Sequence, residues 1–137
     1  PVTMEKLKWQ LGEETDSNTY CIDCRGGHAA AQGCSFNGYV STDGSAAGGG
    51  VSAYPNAFAI SGNCAFHDLR IAVRTYLGGR ITVYGGNAET DYSGNNYGVY
   101  TYHGGLVMLG DMVPATLGAP TNYKNSGGAI IQAGKLI

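Results

Sequence analysis

Charge is scarce in this chain. Asp, Glu, Lys and Arg supply 13% of its 137 residues, about half the share an ordinary soluble domain carries. The net charge is −2, and the eight basic residues are spread out, with Arg70, Arg74 and Arg80 the nearest approach to a group. Nucleic-acid binding draws much of its affinity from Lys and Arg that neutralise phosphates, so nucleic acid is not expected as a partner. Long apolar runs are missing too. Nothing approaches the ~18 consecutive apolar residues of a membrane helix, so no membrane partner is expected, and no secretory leader is visible. The chain begins at Pro1 without Met, which fits removal of an initiator Met or of a leader.

Catalytic motifs are also lacking. There is no G-x-S-x-G elbow to expose a nucleophilic serine, and no P-loop or dinucleotide fingerprint, because no glycine pair falls between a strand and a helix. His67 and Asp68 are adjacent, which on a strand sends their side chains to opposite faces and argues against a dyad. Carboxylates are mostly single. Glycoside hydrolysis needs two facing carboxyls, and nothing selects Glu89 with Asp111 or Asp68 as such a pair. The expectation is a protein that is not an enzyme and holds no cofactor.

What is abundant is glycine, with 23 residues, and tyrosine, with ten. A surface of Gly, Ser, Thr, Asn and Tyr is neutral and hydrogen-bonding, suited to copies of itself or to sugars. The chain length fits one domain, read as a single β domain over 1–137. In 1–12, Leu7, Trp9 and Leu11 alternate with Lys6, Lys8 and Gln10. This reads as a short extended strand available for assembly, although Met4, Leu7 and Leu11 also fit a helical face. Polar loops follow at 12–19 and 41–50. From Leu69 to Tyr84 apolar and polar residues alternate on both sides of Gly78-Gly79. A three-residue turn, Leu77-Gly78-Gly79, would set Ile81 opposite Thr75 and Val83 opposite Val73, with Gly79 in the left-handed position. A second hairpin is expected over Tyr97–Leu109, turning at Gly104-Gly105. Glycine pairs recur at 26–27, 48–50, 78–79, 85–86, 104–105 and 127–128. Their uneven intervals favour a β-sandwich or small barrel with Gly-rich turns, with a short β-solenoid as the alternative.

Four cysteines form an even set with one C-x-x-C, Cys21 to Cys24, followed by Cys34 and Cys64. Two disulfides are the first expectation, which fits an oxidising compartment. A zinc site of Cys21, Cys24, His28 and Cys34, or with Cys64 as fourth ligand, is the competing one; no metal is assigned. Tyr92, Tyr97, Tyr100 and Tyr102 sit among Asn, Ser and Gly, the composition of a protein contact or a glycan site. The apolar end Ile130–Ile137 reads as buried. These features point to a self-assembling structural subunit of an extracellular filament or virion surface, partnered by copies of itself. A carbohydrate-binding module is the alternative and a small zinc protein the third reading.

Overall fold

A computed structural model describes residues 2–16, 18–85, 91–111, 113–119 and 123–137. Among these, all regular structure is β, and no helix is long and apolar enough to cross a membrane. The chain winds through three faces in turn. The first turn holds β1 (Val2–Glu5), β2 (Lys8–Gln10) and β3 (Tyr20–Cys24). The second holds β4 (Gly27–Gln32), β5 (Ser35–Asn37), a small antiparallel insertion of β6 (Tyr39–Val40) with β7 (Ala46–Ala47), and β8 (Gly49–Ala53). The third is β9 (Ala57–Gly62), β10 (Ala65–His67) and β11 (Ile71–Thr75), and the fourth β12 (Arg80–Tyr84), β13 (Tyr92–Ser93) and β14 (Tyr97–Tyr102). β15 (Leu106–Leu109) and β16 (Lys124–Ser126) make the fifth; β17 (Ala129–Gln132) and an antiparallel β18 (Lys135–Leu136) close the stack.

Apart from β6, β7 and β18, each strand pairs in parallel with its counterpart one turn away. Sheet A runs β1-β4-β9-β12-β15-β17-β18, sheet B β2-β5-β10-β13, and sheet C β3-β8-β11-β14-β16. The protein is a β-solenoid of about five turns; the sandwich or barrel expected first is not what forms. The Leu69–Tyr84 and Tyr97–Leu109 hairpins are overturned with it. β11 and β12 lie in different sheets, so Val73 pairs with Val51 and Val99, while Ile81 pairs with Ala59 and Val107. At the corner between them Leu77 and Gly78, not Gly79, take positive φ, and Gly79 donates its N–H to the Tyr76 carbonyl. The same turn recurs at Tyr102-His103-Gly104-Gly105. A Cβ at Gly79 would lie 2.2 Å from the Ala53 carbonyl oxygen, so the corner leaves no room for a side chain there.

Stacking at roughly 4.8 Å per strand turns alternation along each strand into columns along the axis. Val2, Ala29, Ala59, Ile81, Val107 and Ile130 form one column on sheet A, buried from Ala59 onward. Sheet C supplies Ile22, Val51, Val73 and Val99, and sheet B an aromatic stack of Trp9, Phe36, Phe66 and Tyr92 with neighbouring ring centroids 5.0–6.1 Å apart. Each such buried side chain contributes roughly 1.5–3 kcal/mol of transfer free energy. Asn95, also buried, accepts the Leu69 N–H and donates to the Phe66 and Leu117 carbonyls. Through it the corner of the fourth turn is tied to 113–119, where Val113, Ala115 and Leu117 lie over the end of the core. Gln132 Nε2 donates to the Val113 carbonyl from the other side.

The two ends differ. At the C-terminal end 113–119 packs on the fourth turn and β18 adds to sheet A, while β16 terminates sheet C. At the other end β1, β2 and β3 each terminate their sheet. Residues 2–11 are not a free arm, since Met4, Trp9 and Leu11 pack on the core and only Leu7 of the expected assembly strand points clear. The C-terminal residues expected to be buried are so only at Ile130; Leu136 is 72% exposed.

Candidate functional site

The outer face of sheet C gathers most of the tyrosines. Tyr20, Gly49, Ile71 and Tyr97 occupy one column, and Asp23, Ser52, Arg74, Tyr100 and Lys124 the next. Tyr54, Tyr76 and Tyr102 follow at the strand ends, each ring against the next at 5.9 and 5.6 Å. Tyr100 and Tyr102, two residues apart on β14, stack at 4.7 Å with their planes 12° apart, and Tyr97 closes on Tyr100 at 5.2 Å. Tyr20 lies across Gly49, whose missing Cβ would sit 2.0 Å from the ring.

Cations fill the remaining gaps. The Arg74 guanidinium rests 4.4 Å from the Tyr20 ring centre and 5.7 Å from that of Tyr54, while donating to Ser52 Oγ and the Tyr54 hydroxyl. Arg25 covers the outer side of Tyr54 at 4.8 Å and pairs with Asp23 at 2.9 Å. Lys124 stands 5.3 Å over Tyr100. Such cation–π contacts contribute about 0.5–2 kcal/mol each and hold the cations in place.

The hydroxyls respond. Burial pushes Tyr20 up to about 12, opposed by Arg74 and Arg70. Tyr102 also rises to about 12, through burial and because it donates to Tyr100. Tyr100 falls below the ordinary phenol value, chiefly because it receives that hydrogen bond, with Lys124 adding to the effect. The Tyr20 hydroxyl has no hydrogen-bond partner among the described residues.

Of the tyrosines expected at a contact surface, Tyr97, Tyr100 and Tyr102 come together here. Tyr92 does not. It is 3% exposed, packs on Phe66 and donates to the Gly85 carbonyl. Tyr20, Tyr54, Tyr76, Arg25, Arg74 and Lys124 were missed by local reading. The signal for one of them was present, since Tyr76-Leu-Gly-Gly repeats, a turn earlier, the Tyr102-His-Gly-Gly motif around an expected tyrosine.

The other candidates form no such site, although Cys34 and Cys64 lie side by side one turn apart. All four cysteines are free thiols, which corrects the two expected disulfides. Cys34 and Cys64 each point at backbone carbonyls near the corner between sheets A and B. Burial pushes the Cys21 thiol up to about 12 and raises that of Cys64, which disfavours the thiolates zinc requires. No group of three His, Cys, Asp or Glu able to hold a metal occurs among the described residues. His28 is elsewhere, edge-on to Phe58 on sheet A at 5.5 Å. His67 Nδ1 lies 2.7 Å from Ser93 Oγ one turn along, a pairing 26 residues apart that no local motif reveals. Glu89 lies outside the described residues.

Sheet A carries a second outward feature. Ala30, Ile60, Thr82, Met108, Ile131 and Leu136 form one external column. Beside it, His28, Phe58, Arg80, Thr82, Leu106 and Met108 line a shallow hollow of about 320 Å³.

Comparisons with protein-family models, with curated proteins and with solved structures found no counterpart. The two outer faces therefore carry the functional reading by themselves.

Proposed function

We propose that the chain is a non-catalytic structural subunit that works assembled with copies of itself, in an extracellular filament or on a viral-particle surface. The apolar column on the outside of sheet A carries this reading. Scattered surface hydrophobes are ordinary, but a contiguous exposed stripe marks an interaction site. Here exposed Met108 and Leu136 align along the axis with half-buried Ile60 and Ile131, with Thr82 between Ile60 and Met108 and half-buried Phe58 and Leu106 beside them. Low charge favours the same outcome, because few like charges oppose the approach of an identical face. The antiparallel β18 and the segment 113–119 interrupt the parallel stacking at the C-terminal end, so copies associate side by side through sheet A. The edges of β1, β2 and β3 offer a further route by strand addition.

Sedimentation velocity over a range of concentrations tests this. The wild type is expected to form a defined oligomer, and Ile60→Asp with Met108→Asp to yield monomers with unchanged far-UV circular dichroism. A wild-type protein monomeric at every concentration would sink the proposal.

A further inference from the structure

We infer that the outer face of sheet C binds an acidic polysaccharide, an elongated glycan carrying carboxylates. The reading is independent of self-association, which uses a different face.

The first argument is charge. The molecule is net negative, yet Arg25, Arg74 and Lys124 gather at this face, with Asp23 as the acid in its central column. Three of the eight basic residues thus serve one of three sides. The second is extent. Arg25 follows β3 at one edge and Lys124 begins β16 at the other. Four strand spacings separate those edges, roughly 19 Å at ~4.8 Å each. A ligand that reaches both cations is a chain rather than a small anion.

The third argument is which atoms the face offers. The rings are not laid flat toward solvent. Tyr100 is closed in by Tyr97 and Tyr102 and is 9% exposed, and Arg74 covers Tyr20. Single-stranded nucleic acid binds non-specifically by stacking bases on free aromatic faces, and here much of that surface is occupied. The Tyr20 hydroxyl is buried, that of Tyr54 accepts from Arg74 and that of Tyr102 donates to Tyr100, so the groups left for a ligand are chiefly the cationic N–H donors of Arg25 and Lys124. Carboxylates of a glycan meet these donors. Pre-set positions also limit the side-chain entropy lost on binding.

The test is titration calorimetry or a filter assay with the intact chain and three polymers: polygalacturonate, the same polymer fully methyl-esterified, and oligo(dT). Binding to polygalacturonate, with loss on esterification and little binding to oligo(dT), is expected. Arg25 and Lys124 project into solvent, so Arg25→Gln with Lys124→Gln should leave the fold intact by circular dichroism. Affinity should fall roughly tenfold or more, the size of a lost charge-assisted hydrogen bond. Asp23→Asn removes the competing carboxylate and should tighten binding. The inference is overturned if polygalacturonate does not bind, if the ester binds equally well, if oligo(dT) binds as tightly, or if the double variant binds like wild type.

Discussion

At the scale of single residues, two neighbouring glycines do different work. Gly78 has φ +85 and open space around its Cα, whereas a Cβ at Gly79 would strike the Ala53 and Tyr54 backbone. Gly78→Ala should therefore cost about 1–2 kcal/mol, the penalty of a left-handed L-residue. Gly79→Ala must move backbone and should reach or exceed about 3 kcal/mol. Urea midpoints of the two variants measure the difference; equal losses would show that the corner relaxes around the added methyl. Asn95 makes the second residue-scale case. Asn95→Ala leaves the Leu69 N–H and two carbonyls without their partner, at roughly 1–3 kcal/mol for each group that water cannot reach. A loss of about 3 kcal/mol in equilibrium unfolding is expected, and a near-neutral result would mean that 113–119 is not held through this amide. The glycine pairs at 78–79 and 104–105 fall at breaks between strands, as expected, but these are solenoid corners and not the expected hairpin turns. Asn95 was indistinguishable from a loop asparagine, because its three partners lie 22–29 residues away.

At the scale of elements, the strands at 71–75 and 80–84 were legible from alternation, but their pairing was not. Alternation specifies which side chains face inward, and a hairpin and a solenoid corner satisfy it equally. The choice is made by contacts a full turn away, such as Val73 between Val51 and Val99. The tyrosine face was legible only on β14 for the same reason. Tyr97, Tyr100 and Tyr102 are local to one another, whereas Tyr20, Tyr54 and Tyr76 arrive from three other turns. Alkaline titration reads this element directly. Tyr100 should ionise below the ordinary phenol value, and Tyr20, Tyr92 and Tyr102 only near 12. For these three the folded value lies above the unfolded one of 10.0. Between the two the unfolded chain loses protons that the folded chain keeps, so stability intact below pH 10 falls as pH rises toward 12. Phenolate absorbance should climb in separated steps and urea midpoints should drop across that window. One ten-tyrosine step centred at 10 would contradict the buried, hydrogen-bonded face.

At the scale of the whole molecule, the solenoid makes stability nearly one-dimensional, since each turn contacts chiefly its neighbours. A turn at an open end then has one supporting interface where an inner turn has two. The first turn is in that position: β1, β2 and β3 are paired on one side only, and among the described residues Trp9 stacks on Phe36 with no further ring beyond it. The far end differs on sheets A and B, because β18 adds to sheet A and 113–119, fastened by Asn95 and Gln132, packs beyond the fourth turn, leaving only β16 as a one-sided edge on sheet C. Unfolding should accordingly begin at the first turn. The chain holds a single tryptophan, and it lies in that turn, so its fluorescence isolates the weak end while far-UV circular dichroism averages over every strand. In a urea titration of dilute, dissociated protein the Trp9 transition is expected at a lower midpoint than the circular-dichroism transition. Phe36→Ala should widen the gap by removing the ring on which Trp9 rests, as well as lowering overall stability by about 3–5 kcal/mol. Coincident transitions in both proteins would mean that the turns unfold as one cooperative unit, with the open edge as firmly held as the far end.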